Sequence, residues 1–206
     1  MYGFIRLYYL GMEQMSNRRP RETAVTDAVT SIVAERGLDQ VSVREVAAAA
    51  GVSIGTVQYY FPTKQQMLAA AYTEAVRRIR ARLQALRLGP DVRRNMTLVL
   101  RELLPLDEQR RTETRVYLAF AAGAATSPSL AGIQQAVLTE LHTEFTEAFS
   151  VAWGDAATPA RCRLAAHAAI ALADGLALHA VTTTGWLRSR QLTGAVDLVL
   201  EALLNS

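Results

Sequence analysis

The sequence predicts an all-α fold, with an N-terminal three-helix helix-turn-helix domain joined by a long helix to a helical-bundle domain. Three observations lead there. Apolar residues recur at helical spacing almost everywhere beyond Pro20. Half of the 206 residues are hydrophobic but only 7% are aromatic, and Gly and Pro are scarce, a profile that favours helices over sheets. No segment alternates as a strand would, and there is no internal repeat or low-complexity tract.

The first helix carries the stripe Val25, Val29, Ile32 and Val33 and ends at Gly37, a residue suited to a helix C-cap. "SVRE", Ser42 to Glu45, matches a capping box in which the Ser42 oxygen accepts a backbone N–H near Glu45 and Glu45 reaches back to the Ser42 N–H. The second helix therefore starts at Ser42 and stops at Gly51, where tolerance of positive φ permits a sharp turn. Ser53 caps a third helix that ends before Pro62, because a residue preceding proline is pushed out of the α region. Thr63 and Gln66 form another capping pair and open a long fourth helix with Met67, Tyr72, Val76, Ile79 and Leu83 on one side. Five further helices are expected at roughly 91–104, 107–125, 128–152, 158–183 and 191–204, punctuated by Pro90, Pro105, Pro128, Pro159 and Gly185. The domains are then an extension over 1–17, a helix-turn-helix domain over 18–63 and a second domain over 64–206. With no flexible linker between the last two, the fourth helix is the joint.

Several function classes are disfavoured. The single Cys162 excludes an intrachain disulfide, and without CxxC or HxxxH spacing no metal site is expected. No cofactor is expected either. GxSxG, GxGxxG, P-loop and HExxH motifs are absent, and His142, His167 and His179 have no acid or nucleophile at helical contact spacing, so the chain is not expected to be an enzyme. No apolar run is read as long enough to span a bilayer, so no membrane partner is expected. "MYGFIRLYYLG" lacks the form of a signal peptide, since Arg6 interrupts a short aromatic stretch and no small-residue cleavage site follows. Met12 and Met15 are alternative starts, and the location expected is cytoplasmic. The net charge of +3 suits an anionic partner without demanding one.

"SIGTVQYYFPTK", Ser53 to Lys64, gathers two tyrosines, a glutamine, a threonine and a lysine around one valine. Two short helices joined by a tight Gly-containing turn form a helix-turn-helix. With Val57 and Phe61 inward, Gly55, Thr56 and Tyr59 point outward and Gln58 and Tyr60 lie on the margins. Gly55 permits close backbone approach, Thr56 offers a hydroxyl and a methyl, and Gln58 can hydrogen-bond a base edge in the major groove. Tyrosine hydroxyls and Lys64 suit phosphate oxygens. Lys64 is the only lysine among 22 Lys and Arg residues, which points to a specific need for a compact ammonium. A surface lysine at a helix start is the alternative.

"VSVREVAAAAGVSIGTVQYYFPTKQQML", Val41 to Leu68, resembles the DNA-binding segment of the TetR family of one-component transcriptional regulators, whose usual form is Gly-x-x-Tyr-x-x-Phe followed by Lys. "RELLPLDEQRRTETRVYLAFAAGA" and "ADGLALHA" resemble the effector domain of its choline-responsive, BetI-like branch. The resemblance implies that Arg44 falls where the family's tetracycline-responsive founder reads a guanine. It places Thr56 and Gln58 on base-contacting positions, Tyr60 and Lys64 on phosphate contacts, and Tyr59 against the sugar-phosphate backbone. Gln58 stands where an aromatic is frequent and Ile54 replaces a polar contact, so the operator sequence does not carry over.

A single helix-turn-helix reads a half-site, so a two-fold dimer on a palindromic operator of double-stranded DNA is expected, its recognition helices about 34 Å apart. The segments Ala160 to Thr184 and Gln191 to Leu203 suit that homodimer, with Leu172, Leu176, His179, Val196, Val199, Leu200 and Leu203 as candidate interface residues. The same stripes would equally cover the chain's own core. Met96, Leu100, Tyr117, Phe120, His142, Phe145, Phe149 and Asp174 are candidates to bind a small-molecule effector, since Met and aromatic surface with a few polar tips is typical of ligand cavities. Asp174 would fix a cationic or hydrogen-bonding effector, or would sit at a wet rim or the dimer seam. Arginines 77, 78, 80, 82 and 87 are read as a solvated face with cationic edges toward the dimer groove, with an anionic effector site as the alternative. The expected function is a repressor released from its operator by an effector. The rival is an architectural or protein-interaction helical module without operator specificity, whose DNA binding would be weak, steeply salt-dependent and indifferent to sequence.

Overall fold

The computed structural model describes residues 20–183 and 185–205, so the expected 1–17 extension lies outside the described residues. The helices are α1 (Pro20–Arg36), α2 (Val43–Ala50), α3 (Ile54–Tyr60), α4 (Lys64–Gln84), α5 (Val92–Glu102), α6 (Glu108–Ala124), α7 (Pro128–Trp153), α8 (Pro159–Thr182) and α9 (Ser189–Asn205). Short 3-10 turns cover Leu38–Gln40 and Gly154–Ala156. Among the described residues every regular element is helical, as the apolar periodicity predicts.

Packing divides the chain differently from the chain-order division expected at residue 64. One compact unit holds the described residues up to Arg78 with Arg115–Gln135; the other holds Ile79–Thr114 with the described residues from Ala136 onward. All three chain boundaries between the units fall within helices, in α4, α6 and α7.

In the first unit, α1 turns Val25, Val29, Ile32 and Val33 inward, where they pack with Val46 and Ala47 of α2 and Val57 of α3. Ser42 Oγ accepts the Glu45 N–H at 3.2 Å, but the box is only half made: the Glu45 carboxylate instead takes Arg36 Nη1 at 2.9 Å. An arginine at the end of α1 outcompetes a neutral N–H for that carboxylate. Gly51, at φ 65°, ends α2 in the left-handed region, and the Val52 N–H closes the turn on the Ala47 carbonyl at 3.0 Å. The Thr63–Gln66 box is complete, with Gln66 N–H on Thr63 Oγ1 at 3.1 Å and Thr63 N–H on Gln66 Oε1 at 3.2 Å.

Farther along α4, Tyr72 is fully buried and stacks on Phe120 at 4.9 Å. Its hydroxyl donates to Gln134 Oε1, and Gln134 Nε2 donates to the Tyr117 hydroxyl at 3.1 Å. The relay supplies the partner a buried phenol requires.

In the second unit, α5, α8 and α9 pack together. Val196 and Leu200, expected at a dimer interface, are fully buried with Leu192 and Leu204 and belong to the core of the single chain. The correction has a simple cause: they form the one stripe of α9 that faces α5 and α8. The end of α9 is pinned by two donors to the Leu204 carbonyl, Trp153 Nε1 at 3.2 Å and Arg93 Nη2 at 3.4 Å.

Two further expectations are corrected. Helix α8 is long and apolar enough to cross a membrane by length and composition. Its apolarity comes largely from alanine, and Ala165, Ala166, Ala169, Ile170, Ala173 and Ala177 are buried core positions. The α4 arginines are not simply a solvated face. Glu74 is buried and receives Arg77 through two bonds of 2.7 and 2.8 Å and Arg78 at 3.2 Å. The Arg77 bonds hold the Glu74 carboxyl below its usual range against the opposing effect of burial, and Arg78 adds to the lowering. Arg78 also pairs with Asp27, Arg80 with Glu140, and Arg82 with Glu113 and, at 2.9 Å, Glu102. Glu74, Glu102 and Glu113 are the most buried of these carboxylates, and buried carboxylates demand such partners.

Candidate nucleic-acid interface and effector residues

Helix α3 has one face in the core and one in solvent. Val57 is 0% exposed and Phe61 6%, whereas Gly55, Gln58, Tyr59 and Lys64 are exposed and Thr56 and Tyr60 are half-buried. Arg44 on α2 is exposed as well. Ser53 Oγ accepts the Thr56 N–H at 3.0 Å and lies 2.9 Å from the Thr56 hydroxyl. The cap thus engages the hydroxyl assigned to base contact and leaves the Thr56 methyl as its less committed group. Tyr59 and Tyr60 meet edge-on at 5.1 Å, which orders two side chains assigned to the nucleic-acid backbone. The arrangement presents a backbone-accessible glycine, an amide and two phenols on one surface beside a cation.

The residues expected to meet an effector fall in both units: Tyr117 and Phe120 in the first, and Met96, Leu100, His142, Phe145, Phe149 and Asp174 in the second. Met96, Leu100, Phe120, Phe145 and Phe149 are fully buried, while Tyr117, His142 and Asp174 are half-buried. A cavity of about 550 Å³ in the first unit is lined by Leu38, Lys64, Leu68, Gly123, Pro128 and Leu130 among others. None of the expected effector residues lines it.

Asp174 has no hydrogen-bond or ion-pair partner among the described residues, and burial pushes its carboxyl up to about 6. Because its folded-state value lies above the ordinary 3.8, the favourable contribution is complete below about pH 3.8 and is lost as pH rises through about 6. Asp174→Asn is therefore expected to raise stability at pH 7.5 by about 1 to 2 kcal/mol and to leave it nearly unchanged at pH 4. Urea unfolding at the two pH values checks this, and an equal gain at both would contradict it.

Two histidines far apart in the chain meet in the fold. His167 Nδ1 lies 3.3 Å from His142 Nε2, across α7 and α8. Burial, and then the charge of His167, lower the His142 pKa. A separation of 25 residues on different helices carries no periodic signal, so residue spacing alone could not find the pair.

On α8, Leu164, Ala168, Ala171 and Leu178 form one exposed stripe, and Leu198 is exposed on α9. Leu172, Leu176, Val199 and Leu203 are half-buried and His179 is exposed, its ring 5.6 Å from that of exposed Trp186. Leu198 and Leu164 are 70% and 69% exposed, and residue type alone does not separate them from the leucines of the buried stripes.

Comparison with known proteins gives a consistent picture. Residues 25–71 match the model "Bacterial regulatory proteins, tetR family", and residues 92–205 match "BetI-type transcriptional repressor, C-terminal". The chain is 27% identical over 188 residues to the HTH-type transcriptional regulator BetI of Stenotrophomonas maltophilia, covering 88% of this chain and 94% of that protein. The match to the HTH-type transcriptional regulator PksA of Bacillus subtilis, 27% identical, spans 55% of this chain and only 56% of that protein. A transcriptional regulator of known structure from Rhodococcus sp. Rha1 is 38% identical, with a TM-score of 0.83 over 89% of this chain and 96% of that one. A Saccharomonospora viridis regulator solved in complex with choline shares the fold, at 20% identity and a TM-score of 0.73 over 87% of this chain and 95% of that one.

Proposed function

Because the chain belongs to the tetR family of bacterial regulatory proteins, with a BetI-type C-terminal part, we propose that it is a repressor that binds a palindromic operator as a homodimer and leaves it when a small molecule binds. The observation that carries this reading is the split face of α3, with Val57 and Phe61 buried beneath exposed Gly55, Gln58 and Tyr59. In the major groove, Gln58 pairs with a base edge, and Gly55 allows the helix to approach closely. Arg44 reaches a base from α2, and Thr56 contributes its methyl. Tyr59, Tyr60 and Lys64 hold the backbone on either side and set the register of the helix.

Two copies meet through the open stripe of α8 and Leu198 of α9, flanked by Leu172, Leu176, His179, Val199 and Leu203. An exposed apolar row on a helix pair is suited to a four-helix seam. The effector carries a cationic group, for which Asp174 is the counter-charge: an unpartnered carboxyl regains its ionised form when a cation arrives. The choline bound to the S. viridis regulator is a cation of that kind. Met96, Leu100, His142, Phe145 and Phe149, which lie in the same unit as Asp174, supply the apolar and aromatic surroundings. Occupancy shifts the dimer toward a spacing of recognition helices that no longer fits the operator, a coupling of about 1 to 3 kcal/mol in typical cases.

Selection of bound duplexes from random-sequence DNA tests the proposal. An inverted repeat with half-site centres about 10 base pairs or a multiple apart is expected. A pool that is not enriched, or that lacks two-fold symmetry, would contradict it.

A further inference from the structure

We propose that Ile54 reads the C5-methyl group of a thymine, and so determines part of the operator sequence; the proposal rests on the reading that α3 enters the major groove. Ile54 is the first residue of α3, three residues before Val57 and seven before Phe61. Helical spacing alone would bury it with those two. Instead it is 47% exposed while they are 0% and 6% exposed. Among the described residues of the first unit, Ile54 and Tyr59 are the large hydrophobic side chains left open, and both lie on this one short helix.

The surroundings sharpen the assignment. Ser53 and Thr56 beside it have their hydroxyls engaged with each other, so the start of α3 offers an apolar branch where polar groups would otherwise serve. The charged phosphates of the backbone give such a branch nothing to pack on. In the major groove the thymine methyl is the apolar group that a base pair presents, and the first residues of a recognition helix are the ones that reach base edges. A β-branched side chain is stiff at χ1 and half-covered here, so it meets the methyl with little ordering cost.

Uracil scanning tests the assignment. Each thymine of the duplex enriched by selection is replaced singly by deoxyuridine, and binding is measured for the wild type, Ile54→Val and Ile54→Ser. At one thymine in each half-site the wild type should lose affinity about fourfold, the equivalent of one buried methyl at about 0.8 kcal/mol. Ile54→Val should keep most of that discrimination, whereas Ile54→Ser should bind the thymine and uracil duplexes alike and still distinguish the other base pairs. Retention of the full uracil penalty by Ile54→Ser, or no penalty at any thymine in the wild type, overturns the assignment while leaving operator binding intact. If no duplex is enriched, the DNA-reading premise falls and the assignment falls with it. Circular dichroism verifies that the exposed-site variants retain their helix content.

Discussion

Leu164→Arg combined with Leu198→Arg is expected to yield a folded monomer that binds its operator about 10²- to 10⁴-fold more weakly than the wild type. Both side chains are about 70% exposed in the single chain, so charging them leaves the core of each copy undisturbed. At a two-fold seam the same substitutions place four guanidinium groups against apolar surface, which is costly because buried charges need partners. The loss in DNA affinity follows from geometry. One recognition helix grips one half-site, and the second grip is intramolecular only while the copies are joined. Sedimentation velocity reads the dissociation and circular dichroism the preserved helices. A variant that remains dimeric would move the interface to another face. A monomer with wild-type DNA affinity would remove the need for a dimer.

Gln58→Ala and Lys64→Ala are expected to fail in different ways. Gln58 is exposed on α3 and has a planar amide suited to the two-atom edge of an adenine, so its removal should cost about 1 to 3 kcal/mol per half-site against the preferred base and little against the others. Two half-sites double that loss. Lys64, at the start of α4, is a point charge for phosphate, and its removal should weaken all sequences alike while flattening the dependence of binding on salt. Titrations against the selected duplex and single-base variants at three salt concentrations separate the two patterns.

The fold was legible because its signals are local. Ser42, Ser53 and Thr63 each cap the helix expected of them, and Val57 and Phe61 lie inward as a 3.6-residue period requires. Distant contacts left no comparable trace. Tyr72 finds Gln134 across 62 residues and Arg82 finds Glu102 across 20, and neither partner is marked in its own helix. The α4 arginines look solvated in sequence because a row of charges is the same string whether water or a carboxylate faces it. Val196 and Leu200 illustrate the complementary ambiguity: an apolar stripe announces that it will be covered, but the identity of the cover is a property of the folded chain. Ile54 is the converse case, a residue on the buried side by spacing that remains 47% exposed in the fold.

The central claim is selective reading of DNA by α3, and fluorescence anisotropy of the wild type on its selected duplex tests it most directly. Binding is measured at moderate salt under an excess of random competitor, beside a scrambled duplex of the same composition. The expected result is binding that survives the competitor on the selected duplex and is at least about 10³-fold weaker on the scrambled one. Equal affinity for the two duplexes would contradict the claim and leave a helical protein that touches DNA through charge alone.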